Sequence, residues 1–175
     1  GDTAYKAEGI SLIRSLNVHD GAFKYKNLAF IDDQQAAKLS NVQVETDDVL
    51  LNITGASVAR VCRAPANVLP ARVNQHVMSI RPKTSINGVF LERLLLSDSM
   101  KNALLQIGGS GATREAITKA QAEDLAVPVP PLPLQQTFAT RIQAIEALKA
   151  THRTALAQLD ALFASLQQRA FAGEL

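Results

Sequence analysis

From Gln135 to Ala172 no glycine or proline interrupts a stretch rich in Ala, Leu, Gln, Arg and Lys, and its apolar positions recur at alternating steps of four and three. Phe138, Ile142, Ile145, Lys149, His152, Leu156, Leu159, Phe163, Leu166 and Ala170 trace this seam, which Leu148, Ala155 and Leu162 widen. Propensity and period agree on a helix over Thr137 to Ala172 with a coiled-coil stripe. Gly173 follows as a natural stop. At 1.5 Å per residue such a helix is about 55 Å long, more than the core of a small domain can cover, so part of it must meet another surface. Lys149 and His152 fall at the middle of the seam. As register-setting polar positions they favour antiparallel pairing with a copy whose middle faces its own; as snorkelling side chains they simply reach solvent. His152 has no second ligand one turn away, which argues against a metal site there.

The pattern changes before this helix. Residues 128–136 form a proline-dense connector, Pro128-Val129-Pro130-Pro131-Leu132-Pro133-Leu134-Gln135-Gln136, and residues 1–127 carry shorter periods. Gly9 to Val18 reads as a strand. The turn His19-Asp20-Gly21 and the alternation Phe23-Lys24-Tyr25-Lys26 make it half of a hairpin, with Lys24 and Lys26 on one face. A short helix over Asp33 to Leu39 follows an Asp cap. Val42 to Thr54 holds the apolar run Val49-Leu50-Leu51-Asn52-Ile53, entered through Thr46-Asp47-Asp48. Ser57 to Arg63 and Ala71 to Ile80 read as further strands, separated by a loop with Pro65 and Pro70. Helices over about Gly88 to Ser97 and Asp98 to Ile107 direct Phe90, Leu91, Leu94, Leu95, Leu104 and Leu105 to a core. The expected class is α+β: a compact mixed body, then one long C-terminal helix.

A chain of 175 residues holds one domain plus this extension. The single cysteine, Cys62, excludes a disulfide framework and reads as a packed strand residue. No apolar run approaches the roughly 18 residues of a membrane span, so a reducing cytoplasm is the expected setting. Starting at Gly1 with no signal-like segment, the chain reads as a fragment or a processed product. The net charge of +2 is small, but from Val49 through Leu91 there is no acidic residue while Arg60, Arg63, Arg72, Arg81 and Lys83 all occur. Gathered on one face, these would attract a polyanion; Asp47, Asp48 and Glu92 are the alternative, as ion-pair partners. The loop Gly108-Gly109-Ser110-Gly111-Ala112-Thr113-Arg114 follows a helix rather than a strand and lacks the lysine of a nucleotide cradle. Its flexible backbone and polar tips suit phosphate or base contacts, or a plain surface connector. His19, His76 and His152 are far apart and no nucleophile motif occurs, so a binding module is favoured over an enzyme.

Taken together, these residues resemble the specificity subunit of type I DNA restriction-modification enzymes, specifically one target-recognition domain with the helical region after it. Four patches carry the resemblance: Asp48-Val49-Leu50-Leu51 with Thr54-Gly55-Ala56-Ser57-Val58-Ala59-Arg60; Asn74-Gln75-His76 with Ile80-Arg81-Pro82; Gly108-Gly109 to Thr113 with Leu125 to Leu132 and Gln135-Gln136; and Leu159 to Phe163 with Gln168 to Leu175. Ala59 stands where a glycine is usual, and Leu134 where a glutamate often precedes the paired glutamines. The family pattern also implies a first strand that this chain lacks. The resemblance implies a non-catalytic reader of double-stranded DNA that delivers DNA methyltransferase (modification) subunits and a restriction/translocase subunit to a two-part site, with S-adenosylmethionine and ATP held by those partners and no cofactor in this chain. Arg14, Asn17, Lys24, Lys26, Ser57, Arg60, Arg72, Ser110, Thr113 and Arg114 are then the expected DNA contacts. Asn74 and Gln75 fit a structural role better than base reading. The helix, through Phe138, Ile142, Ile145, Leu156, Leu159, Phe163 and Leu166, would dimerise with a copy and set the distance between two readers. The rival reading is a coiled-coil assembly protein whose body binds protein rather than DNA.

Overall fold

A computed structural model describes residues 5–109 and 116–174. Contacts divide the chain into two units, residues 1–135 and residues 136–175.

In the first unit, β1 (Ile10–Ile13), β2 (Val18–His19), β3 (Ala22–Phe23), β4 (Ala29–Ile31), α1 (Asp33–Lys38), β5 (Gln43–Val44), β6 (Val49–Asn52), β7 (Val61–Arg63), β8 (Ala71–Val73), β9 (Val77–Ile80), α2 (Gly88–Leu95), α3 (Asp98–Gly109) and α4 (Lys119–Glu123) follow in order. One sheet runs β4-β1-β8-β5, a second β7-β6-β9, and β2 pairs with β3. β1 and β8 are parallel, with Leu12 opposite Arg72; the other pairs are antiparallel. The α+β class is as expected.

β6 is the axis of the body because all four of its residues are buried, so its two faces serve two cores. Leu50 packs with Ile13, Val44, Cys62 and Val73; Val49 and Leu51 pack with Val61, Leu91, Leu95, Leu104 and Ile117. Cys62 is a packed strand residue, and burial, with Glu92 adding to it, pushes its thiol up to about 12. That thiol is inert at neutral pH.

Several expected elements are shorter than the sequence suggested, for local reasons. Gly9 to Val18 is not one strand: after Ile13 the backbone N–H of Arg14 donates to Asn17 Oδ1 and a 3-10 turn over Ser15–Asn17 intervenes. Ser57 to Arg63 is extended only from Val61, because Gly55–Ser57 is a second 3-10 turn. Ala71 to Ile80 splits between two sheets at the turn Asn74-Gln75-His76, where the His76 N–H donates to Asn74 Oδ1. The short helix α1 is as expected: Asp32 and Gln35 form a reciprocal capping box. Helix α4 was not foreseen; Thr118 and Gln121 cap it in the same manner.

The long helix α5 spans Leu132–Ala172, 41 residues and about 60 Å. It starts before Thr137 because proline in the first turn of a helix forfeits no internal hydrogen bond. Pro133 occupies that turn, and the carbonyl of Pro131 accepts from the N–H groups of Leu134 and Gln135. The second half of the proline-dense connector is therefore helix. Gln135, wholly buried, accepts at Oε1 from the Asn87 N–H and donates through Nε2 to the carbonyls of Ser85 and Pro130. At the other end Gly173, at φ +75°, donates to Ala170 O while Glu174 N donates to Arg169 O, a double cap that ends the helix where the glycine predicted. In the second unit Ile145, Leu148, Leu156, Leu159, Leu162, Phe163 and Leu166 are exposed, Leu159 and Phe163 by 62% each. Lys149 lies 3.0 Å from Glu146 on the same helix, a solvent-facing pair.

Candidate nucleic-acid interface

Charge does not single out a surface until its partners are counted. Arg81 grips Asp48 with two parallel bonds, Nε to Oδ1 and Nη2 to Oδ2, both 3.0 Å, and also reaches Glu45 at 2.6 Å. Burial pushes the Asp48 carboxyl up, but the bonds from Arg81, the Glu45 N–H and Ser79, with the Arg81 charge, outweigh it and hold it below the ordinary carboxylate range. Arg63 meets Asp47 at 3.1 Å and Glu92 at 3.7 Å. Arg72, on a central strand, donates to the carbonyls of Ala36 and Ala71 and so ties α1 to the sheet. Of the five cations in the acid-free stretch, Arg60, Arg72 and Lys83 have no carboxylate among the described residues, and of these only Arg72 has its side chain held by backbone carbonyls.

Arg60 sits on the turn Thr54 to Arg60, which four elements hold in place. The Asn52 N–H donates to Arg60 O, and the Ala59 N–H to Asn52 O. Asn52 is buried, and its Nδ2 donates to Ser15 O (2.9 Å) and Ser57 Oγ (3.1 Å). From α3, Lys101 Nζ donates to Ala59 O (2.7 Å) and to both oxygens of Asp20. Thr54 Oγ1 lies 2.8 Å from His76 Nδ1 on the neighbouring turn. Gly55 has φ +70° and Ala59 φ +65°. The glycine usual at the latter position in the resembled family thus answers a left-handed backbone, which Ala adopts at a cost of about 1–2 kcal/mol.

The ends of the glycine loop are brought to the same place. Gly108 lies so close to the turn that a Cβ there would stand 3.1 Å from Val58 Cγ2, and a side chain at this position would have to displace Val58 by a few tenths of an ångström. Beyond the loop Ala116 bridges to Thr54, its N–H donates to Gly108 O, and the Ile117 N–H donates to Ile53 O. Ser15, Thr54, Gly55, Ala56, Ser57, Arg60 and His76 together border a groove of about 360 Å³. A larger cleft of about 1060 Å³ is lined by Val42, Met78 and Ile80, but its charges are spoken for: Arg81 by Glu45 and Asp48, Lys119 by Glu123.

Of the expected contacts, Ser57 and Arg60 border this groove. Lys24 and Lys26 are exposed, but they lie past the two-residue ladder of β2 and β3 rather than on a hairpin face. Ser110, Thr113 and Arg114 lie outside the described residues. Three of the expected contacts have partners within the fold. Asn17 is wholly buried, with Oδ1 accepting from the Arg14 N–H and Nδ2 donating to Lys24 O, because its amide closes a turn. Arg14 stacks over the Tyr5 ring at 5.0 Å and donates through Nη2 to Asn27 O, so part of its guanidinium is engaged within the fold. Arg72 is held by the carbonyls named above. Asn74 caps its turn, while Gln75 is exposed. Ser15, Thr54 and His76 were missed as groove residues. The threonine beside a glycine turn was a faint signal; the sequence held none for Ser15.

The chain belongs to the type I restriction modification DNA specificity domain family, whose model matches residues 9–161. Specificity subunits recognise and do not catalyse, in agreement with the non-enzyme expectation. The chain is 27% identical over 175 residues to the specificity subunit of the type I restriction enzyme EcoBI of Escherichia coli, an alignment taking in 96% of this chain and 36% of that protein. Its fold matches a chain from a solved type I R-M system, studied for complex assembly and conformational transition, with TM-score 0.67 at 21% identity over 100% of this chain and 42% of the other. It also matches the HsdS subunit from Thermoanaerobacter tengcongensis, with TM-score 0.58 at 19% identity over 99% and 40%. The chain thus spans between 36% and 42% of the length of these proteins. Among the described residues no helix is long and apolar enough to cross a membrane.

Proposed function

We propose that this chain is one DNA-reading half of a type I restriction-modification specificity subunit, binding duplex DNA through the Thr54 to Arg60 turn, the Asn74 to His76 turn and the glycine loop. The observation that carries this reading is a convergence of patches distant in sequence: the Thr54 to Arg60 turn and His76 line one groove, whose arginine has no carboxylate among the described residues, and Ala116, just beyond the glycine loop, bridges to Thr54. Lys24, Lys26 and the loop residues Ser110, Thr113 and Arg114 extend the contact to flanking phosphates. In the cytoplasm the reader recruits modification subunits, which hold S-adenosylmethionine, and a restriction subunit, which uses ATP; this chain carries neither.

The helix supplies the second half of the function. An apolar seam with Leu159 and Phe163 mostly exposed needs a partner surface, and a copy of the same helix running antiparallel offers a matching one. Two readers so joined address a symmetric split site, with spacing set by helix length. Co-expression with a modification subunit in methylation-free cells, followed by mapping of N6-methyladenine, tests this. A split symmetric motif is expected; a split asymmetric one would replace the copy with a different second reader, and no methylation would remove the reader assignment. Leu159→Glu should abolish dimerisation seen by light scattering, and a wild-type chain that is monomeric at micromolar concentration would refute the helix pairing.

A further inference from the structure

The groove bordered by Ser15, Thr54, Ser57, Arg60 and His76 has donors to spare and no carboxylate among its described lining residues. Because Asn52 Nδ2 donates to Ser57 Oγ, the serine's own proton is free to point outward. The Ser15 hydroxyl and the Arg60 guanidinium have no partner among the described residues. The Thr54–His76 contact of 2.8 Å works differently, since its donor depends on the ring tautomer. With neutral imidazole, one proton is used between the two side chains and one donor is left over, whichever tautomer is present. With imidazolium, Nδ1–H donates to Thr54 Oγ1, and both the threonine O–H and Nε2–H are left over, together with a positive charge.

We propose that this groove seats one backbone phosphate of duplex DNA and that His76 holds it as the imidazolium, so that binding takes up a proton from solvent. The inference rests on the DNA-reading function above and adds to it a residue and a chemistry. A phosphodiester is an acceptor-only anion and is met here by four hydroxyl or ring donors and a guanidinium. Of the elements around His76, the Thr54 to Arg60 turn contributes Arg60, the Ser15 turn no groove-lining charge, and the Ala116 bridge none. Arg114 and Glu115 belong to the segment 110–115, outside the described residues.

The test is binding of the full 175-residue chain to a fluorescein-labelled mixed-sequence duplex, by anisotropy, at about pH 6 and about pH 8 over a series of KCl concentrations. Wild type is expected to bind about 3- to 10-fold tighter at the acid pH. His76→Gln should show a flat affinity between the two pH values, although His19 and His152 remain. Arg60→Ala should lower the slope of log K against log salt by about one. Equal pH dependence in wild type and His76→Gln overturns the proposal and leaves the DNA reader standing. No duplex binding at either pH overturns the DNA reader, and this inference with it. Should His76→Gln fail to fold by circular dichroism, calorimetry of wild type in buffers of different ionisation enthalpy decides: a binding enthalpy independent of buffer means no proton uptake and ends the proposal.

Discussion

Arg60 and Arg63 stand three residues apart in one acid-free segment, yet the fold gives them opposite roles. Arg63 belongs to the strand β7 and lies against Asp47 and Glu92; Arg60 precedes the strand, on a turn facing a groove with no carboxylate among its described lining. The same contrast separates Arg81, clamped on buried Asp48, from Arg60 across the body. A run of like charges in sequence therefore specifies neither a surface nor a ligand. What matters is which cations the backbone carries toward carboxylates and which it carries away.

The comparison is broken most forcefully at the paired side. Arg81→Ala strips a buried carboxylate of its two-point partner; with the arginine half exposed, and Ser79 and the Glu45 N–H still donating to Asp48, a loss of about 2 kcal/mol is expected in urea unfolding. An unchanged midpoint would mean that the pair is no more structural than Arg60. Acid comes next. Asp48 is held below its ordinary range, so its stabilisation is present above the unfolded carboxylate value near pH 4 and is lost as pH falls through the lower folded one. Wild type should lose stability through that window more steeply than Asp48→Asn. Asp32, lowered chiefly by the Gln35 N–H at its helix cap, leaves the variant a residual slope of the same sign.

Smaller effects sharpen the unpaired side. Ala59→Gly relieves a left-handed strain of about 1–2 kcal/mol. It also forfeits a buried methyl of about 0.8 kcal/mol and adds glycine's entropy of about 0.5–1 kcal/mol. A net change within about 1 kcal/mol is expected, which explains how alanine is tolerated where glycine is usual; a larger loss would show that the methyl dominates. Arg60→Ala should be the quietest for the fold, within about 0.5 kcal/mol, while it weakens duplex binding and its salt dependence. Destabilisation matching that of Arg81→Ala would erase the distinction between the two arginines.

Long periods and local chemistry were legible along the chain. The seam of α5, the apolar run of β6, the Asp32 cap and the Gly173 stop each express an interaction between near neighbours, so spacing alone reveals them. The start of α5 was misplaced because a cluster of prolines reads as a connector, whereas proline at the first turn is compatible with helix. The turns within Gly9 to Val18, Ser57 to Arg63 and Ala71 to Ile80 were missed for another reason. Their residues are apolar enough for strands, but bonds to the amides of Asn17 and Asn74 bend the first and third, and the 3-10 turn Gly55–Ser57, held by Asn52, delays the second.

The sequence by itself thus determined the class of fold, the long helix and its exposed seam, the buried thiol and the family to which the chain belongs. Only the tertiary structure decided which polar residues are free. Asn17, Arg14 and Arg72 satisfy the fold's own donors and acceptors, while Ser15, Thr54, Arg60 and His76, spread over sixty residues, share one groove. A polar side chain serves whatever lies within about 3 Å of it, and for residues brought together by strand pairing that neighbour is set by sheet register rather than by chain order.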